Sequence, residues 1–126
     1  MPDEAFSSID LVAQCLIDEP RSQTFEKAIR MAVKTGDRVL DVGTGSGLMA
    51  MFASRAGAKS VLAIEFDPYV AEVARKNIEK NGLSKNITLV EGDGRNYVFP
   101  KNTQFDVVVM EMLTTSMVDE FQVQAV

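Results

Sequence analysis

The sequence predicts an α/β fold with a doubly wound, mainly parallel sheet, and three observations predict it. Apolar runs of strand length alternate with segments whose apolar residues recur at helical spacing. The connections between them are short and marked by glycine, asparagine or an Asp-Pro pair. One run, FDVVVM at 105–110, is apolar almost throughout, as a strand buried on both faces is.

The elements follow in order. Ile9, Val12, Leu16 and Ile17 repeat at helical spacing, as do Phe25, Ala28, Ile29, Ala32 and Val33, which predicts two amphipathic helices separated at Glu19-Pro20-Arg21-Ser22. Thr35-Gly36-Asp37 is a turn, RVLDV (38–42) a short buried strand, GTGSG (43–47) a flexible loop, and LMAMFASRA (48–56) a helix ended by Gly57. SVLAIE (60–65) is the second strand. Asp67 is an N-cap followed by a proline in the first turn, and YVAEVARKNIEKN (69–81) is a helix closed by Gly82. NITLVE (86–91) and FDVVVM (105–110) are the third and fourth strands, and residues from about Thr115 onward read as helix. Strand and helix in alternation with short links mean parallel βαβ units. The organisation is one domain overall, with N-terminal helices over 1–35 and the sheet-bearing part over 36–126.

Composition narrows the class. The 126 residues fit one small domain, and 46% apolar with 25% charged residues is the balance of a soluble globular protein. No apolar run approaches the length of a membrane span, and the acidic start MPDEAFSSID is unlike a secretory signal. One cysteine, Cys15, and no histidine exclude an internal disulfide and a Cys/His metal site, so the reading is a reduced, cytoplasmic protein with no metal. A net charge of −5 without a basic face argues against a long nucleic acid as partner. Arg75, Lys76 and Lys80 are interleaved with Glu72 and Glu79, which reads as a solvated helix face supported by a Glu72–Lys76 pair.

The chemistry concentrates at the strand ends. VLDVGTGSG lies where the first strand turns into a helix, and glycines there let a ligand approach the main chain. The nicotinamide fingerprint needs a third glycine where this chain has Leu48, and Asp41 would set negative charge against a pyrophosphate. The acid suits instead a ligand carrying an ammonium and a sulfonium. Glu65 ends the second strand, where a carboxylate can accept from both ribose hydroxyls of an adenosine. Asp93, in the Glu91-Gly92-Asp93-Gly94 turn, can accept from an adenine amino group, although a D-G pair is also an ordinary turn. At the end of the fourth strand stands Glu111, with Glu120 nine residues on. The pair is either a charged turn leaving the sheet or a device for holding a substrate. A plain surface acid beside Asp119 is the simpler reading of Glu120, and core filling the simpler reading of Met49, Met51, Met112 and Met117.

VLDVGTGSG, LAIE and LVEGDG resemble the first three motifs of the class I S-adenosylmethionine-dependent methyltransferases, in register from about residue 36 to 112. LIDEPRSQTF and EMLTTSMVDE are similar to the core entry and the double-glutamate loop of the protein arginine N-methyltransferases. The resemblance implies a partial Rossmann-like methyltransferase fold holding only the first four strands, in the order 3-2-1-4. It implies S-adenosylmethionine as cofactor and S-adenosylhomocysteine as product. Arg21 would pair with the methionine carboxylate, Asp41 and Gly43 would lie along the methionine moiety, Glu65 at the ribose and the Asp93-Gly94 turn at the adenine, with Thr44, Gly45, Gly47 and Phe66 also binding the cofactor. Glu111 and Glu120 would be the catalytic pair gripping a protein arginine or another amino nitrogen. The chain departs from that family at its start, which has only Phe6 of an aromatic segment, and at Met112-Leu113-Thr114-Thr115.

Two further readings stay open. One is a small-molecule or RNA methyltransferase of the same class whose glutamates only line the pocket. The other is a non-catalytic module that binds the cofactor or pairs with a catalytic subunit. The fourth strand would form a bare apolar edge with no lysine or proline to blunt it. The expectation is therefore a fragment of a longer chain, a partner completing the sheet, or two copies pairing across 105–110.

Overall fold

The computed structural model of the chain describes residues 19–110, with side chains from residue 22. The elements are α1 (Glu19–Ala32), β1 (Arg38–Val42), α2 (Leu48–Arg55), β2 (Ser60–Glu65), α3 (Pro68–Lys80), β3 (Ile87–Glu91) and β4 (Val107–Met110). The strands form one parallel sheet in the order β3-β2-β1-β4. Along it Val39 lies between Val61 and Val107, and Glu65 pairs with Glu91 at the carboxyl edge.

The two faces of the sheet are covered differently. Val39, Val61, Ala63 and Ile87 point to the face on which Ile29 of α1, Met49, Ala50, Met51 and Ala53 of α2, and Ile78 of α3 close the main core. Alternate residues of a strand face opposite ways. Leu40, Val42 and Ile64 accordingly meet Tyr97, Phe99 and Phe105 on the other side. These aromatic residues belong to the crossover from β3 to β4, which runs without a helix and stacks edge to face, with centroids 4.9 Å apart for Tyr97–Phe99 and 5.6 Å for Phe99–Phe105. Among the described residues the helices therefore lie on one face and an aromatic strap on the other.

Three local expectations are corrected. Glu19-Pro20-Arg21-Ser22, read as a break, is helical: Pro20 stands in the first turn of α1, where its missing N–H leaves no intrahelical bond unmade. Glu72 pairs with Arg75 (3.4 Å), one residue short of the expected Lys76, because i,i+3 neighbours also face one another. FDVVVM yields a strand only from Val107; among the described residues β4 pairs along one edge alone, and Val108 is 55% exposed. Its amino end is fixed by a clamp in which the Arg38 N–H donates to Asp106 Oδ2 and the Asp106 N–H to the Arg38 carbonyl, both at 2.8 Å. The predicted helix from Thr115 onward lies outside the described residues. Met49 and Met51 are buried in the core, as expected of filler. No helix among the described residues is long and apolar enough to cross a membrane.

Candidate functional site

The carboxyl edge of β1 and β2 is held together by two buried acids. Asp41 is 1% exposed and points to the helical face, with Thr44 folded back over it so that the hydroxyl donates to Asp41 Oδ2 at 2.7 Å. The other oxygen, Oδ1, is buried without a hydrogen-bond partner. Burial pushes the Asp41 carboxyl up to about 7; the charge of Glu65 adds to the rise, while Thr44 and the Ala50 N–H oppose it. Glu65 is likewise raised by burial, with the Asp67 charge adding to the rise, against the pull of three backbone donors, the N–H groups of Asp67, Gly45 and Phe66. The Gly45 N–H donates to its Oε1 at 2.8 Å and the Asp67 N–H to its Oε2 at 3.1 Å.

Between these acids the loop takes a shape that glycine makes accessible. Gly43, Gly45 and Gly47 have φ of 75°, 60° and 89°, so three alternate residues sit in the left-handed region that glycine adopts without strain. The N–H groups of Gly43 and Thr44 both donate to the Ile64 carbonyl (2.8 and 3.0 Å), which staples the loop to the end of β2. Gly47 then opens α2 without a side-chain cap.

The turn after β3 closes the other side. The Gly92 N–H donates to the Glu65 carbonyl at 2.8 Å, and Gly94 lies so close to β1 that a Cβ on it would stand 2.6 Å from Val42 Cγ1. Asp93 accepts from the Arg95 N–H (2.9 Å), from Arg95 Nε (3.0 and 2.9 Å to its two oxygens), from Arg95 Nη2, and from Asn96 Nδ2 (3.3 Å). The Arg95 guanidinium holds the Asp93 carboxyl below its usual range. Phe66, half-exposed at the end of β2, completes the edge. The side chain of Arg21, and both Glu111 and Glu120, lie outside the described residues.

Thus Asp41, Thr44, Gly43, Gly45, Gly47 and Glu65 come together as one hydrogen-bonded unit, with Asp93 and Gly94 in the adjoining turn. Sequence reasoning missed two partners. Arg95 follows Asp93 by two residues, the spacing of an Asx turn, which was a legible signal. Asn77 donates from Nδ2 to the Ser46 carbonyl at 3.0 Å, and its signal was an amide beside the buried Ala74–Ile78 stripe of α3.

The parallel sheet in this order, with a glycine loop after β1 and an acid ending β2, defines the core of a class I S-adenosylmethionine-dependent methyltransferase. Residues 23–124 match the protein family described as ribosomal protein L11 methyltransferase (PrmA). The chain belongs to that family. It is 43% identical over 109 residues to an uncharacterized protein of Methanocaldococcus jannaschii, covering 86% of this chain and 40% of that protein. It is 32% identical over 112 residues to protein arginine N-methyltransferase 1 of Dictyostelium discoideum, covering 87% of this chain and 32% of that one. Among solved structures, protein arginine methyltransferase 10 of Arabidopsis thaliana superposes with a TM-score of 0.75 at 30% identity, over 84% of this chain and 30% of that chain. The chain thus spans two fifths or less of the length of these relatives.

Proposed function

We propose that the chain carries the S-adenosylmethionine site of a cytoplasmic methyltransferase acting on a nitrogen, either a protein arginine guanidino group or another amino nitrogen. The carrying observation is Glu65. Its oxygens accept from backbone N–H groups, Gly45 on Oε1 and Asp67 on Oε2, which fixes the carboxylate at the sheet edge where it suits the vicinal hydroxyls of a ribose. The glycine loop at the end of β1 and the Gly94 turn held close against Val42 suit a ligand lying across β1 and β2.

Bound S-adenosylmethionine would supply a methyl group on a sulfonium. The roles of the chain are to orient and to neutralise. Arg21 would hold the methionine carboxylate as a bidentate donor, with the helices of 1–35 packed over the cofactor. Glu111 and Glu120 would fork onto the acceptor guanidinium and fix one nitrogen in line with the methyl carbon. With that methyl group passed to the aligned nitrogen and S-adenosylhomocysteine left as product, the two glutamates would offset the positive charge until the nitrogen sheds its proton. Likeness to proteins named as arginine methyltransferases supports this acceptor. The matched family favours a second reading, an amino group of ribosomal protein L11. The edge of β4 that has no neighbour among the described residues is read as the place where a further strand pairs, whether from a longer chain, a second copy or a partner chain.

Calorimetry with S-adenosylhomocysteine tests the cofactor reading. The wild type should bind, and Glu65→Ala should weaken binding by about a hundredfold, equivalent to some 2.7 kcal/mol. Absence of binding by the wild type overturns the proposal. Labelled methyl transfer to an arginine peptide and to ribosomal protein L11, each with Glu111→Gln alongside, separates the two acceptors.

A further inference from the structure

We propose that Asn77 is a positioning residue for the cofactor loop: its side-chain amide holds the Ser46 carbonyl, and with it the backbone of 43–47, in the ligand-binding shape. The inference rests on reading that loop as the cofactor cradle.

The carbonyl of Ser46 falls in a gap of the local hydrogen-bond pattern. The first helical bond of α2 runs from the Met51 N–H to the Gly47 carbonyl, and the Gly47 N–H donates back to the Thr44 carbonyl. Ser46 is itself buried, so its carbonyl needs a donor from elsewhere. Asn77 provides it from 31 positions further along the chain. Beside this bond the position of a Cβ on Gly47 lies 3.5 Å from both Ala74 Cβ and Ile78 Cγ1, so Ala74, Asn77 and Ile78 form one stripe of α3 on which the loop rests. Asparagine is a poor residue for a helix interior, where its amide competes with the backbone, and here the amide is spent on the loop instead. The contact continues outward. Asn81 Nδ2 donates to the Asn77 carbonyl (2.8 Å) and Arg55 Nη2 to Asn81 Oδ1 (2.7 Å), so the C-terminal turns of α3 tie down both ends of α2. A helix that supplies no candidate ligand contact thereby sets where the loop stands.

Asn77→Asp tests this with nearly unchanged shape. An ionised carboxylate cannot donate to the Ser46 carbonyl, whereas a protonated one can. At pH 8 the variant should bind S-adenosylhomocysteine about tenfold more weakly than the wild type, with the ratio shrinking as pH falls to about 4 and the introduced carboxyl protonates. Asp41 and Glu65 titrate in both proteins and cancel in the ratio. Asn77→Gln, which keeps the amide donor on a longer stem, should bind within about threefold of the wild type at pH 8. A tenfold loss in Asn77→Gln, a ratio for Asn77→Asp that does not move with pH, or unchanged affinity at pH 8 overturns the inference. Failure of the wild type to bind overturns the cofactor reading itself, which distinguishes the two.

Discussion

Asp41 and Glu65 are the residues at which chemistry and stability oppose each other most directly. Both carboxyls are buried and raised, so each favours the folded state when protonated and disfavours it when ionised. For Asp41 this contribution is present below its unfolded value of 3.8 and is lost as pH rises through about 7. Asn at this position cannot ionise. The stability difference between Asp41→Asn and wild type should therefore swing toward the variant by up to about 4 kcal/mol from pH 4 to pH 8, as urea denaturation at the two pH values would show. Asp93 and Asp106 act with the opposite sign, since their lowered carboxyls stabilise when ionised; both are present in each protein and drop out of the comparison. At the same scale, Asp41, Glu65 and the glycines were legible in the sequence because their types and spacing are constrained by the strand-to-helix turn. The Thr44–Asp41 and Asn77–Ser46 bonds were not, because each depends on where a side chain arrives after folding.

The elements show where sequence reasoning holds and where it gives way. RVLDV and SVLAIE coincide with β1 and β2 to the residue, since both are central strands whose apolar runs are bounded by turns. Asp67 caps α3 as expected, its Oδ1 accepting from the N–H groups of Tyr69 (2.8 Å) and Val70 (3.3 Å). The bounds of β4 were overestimated by two residues, because Phe105 is drawn into the aromatic strap and Asp106 into the clamp with Arg38. The turn after β3 carries its own prediction. Gly94→Ala should force the turn off Val42, costing about 1–3 kcal/mol by overpacking and weakening S-adenosylhomocysteine binding. Adding Val42→Ala, which removes the obstructing methyl, should recover part of both losses in a double-mutant cycle read by urea denaturation and calorimetry.

Across the whole molecule the sheet is protected unevenly. Among the described residues one face is covered by three helices and the other by Tyr97, Phe99 and Phe105, with Val108 exposed on β4 beside an edge that has no described neighbour. Val108→Lys should reduce concentration-dependent association in light scattering while leaving stability within about 0.5 kcal/mol, because that side chain gives up little burial. The chain order of the sheet has a further consequence for synthesis. The cradle residues from Asp41 to Gly94 emerge in three successive strand units, yet β1, which bears the loop, has a neighbour on only one side until Met110 has been made. A parallel strand cannot close on its predecessor by a tight turn. Of the two central strands described, the one carrying the glycine loop is thus translated first and enclosed second, which places completion of the sheet's centre late in the folding of the nascent chain.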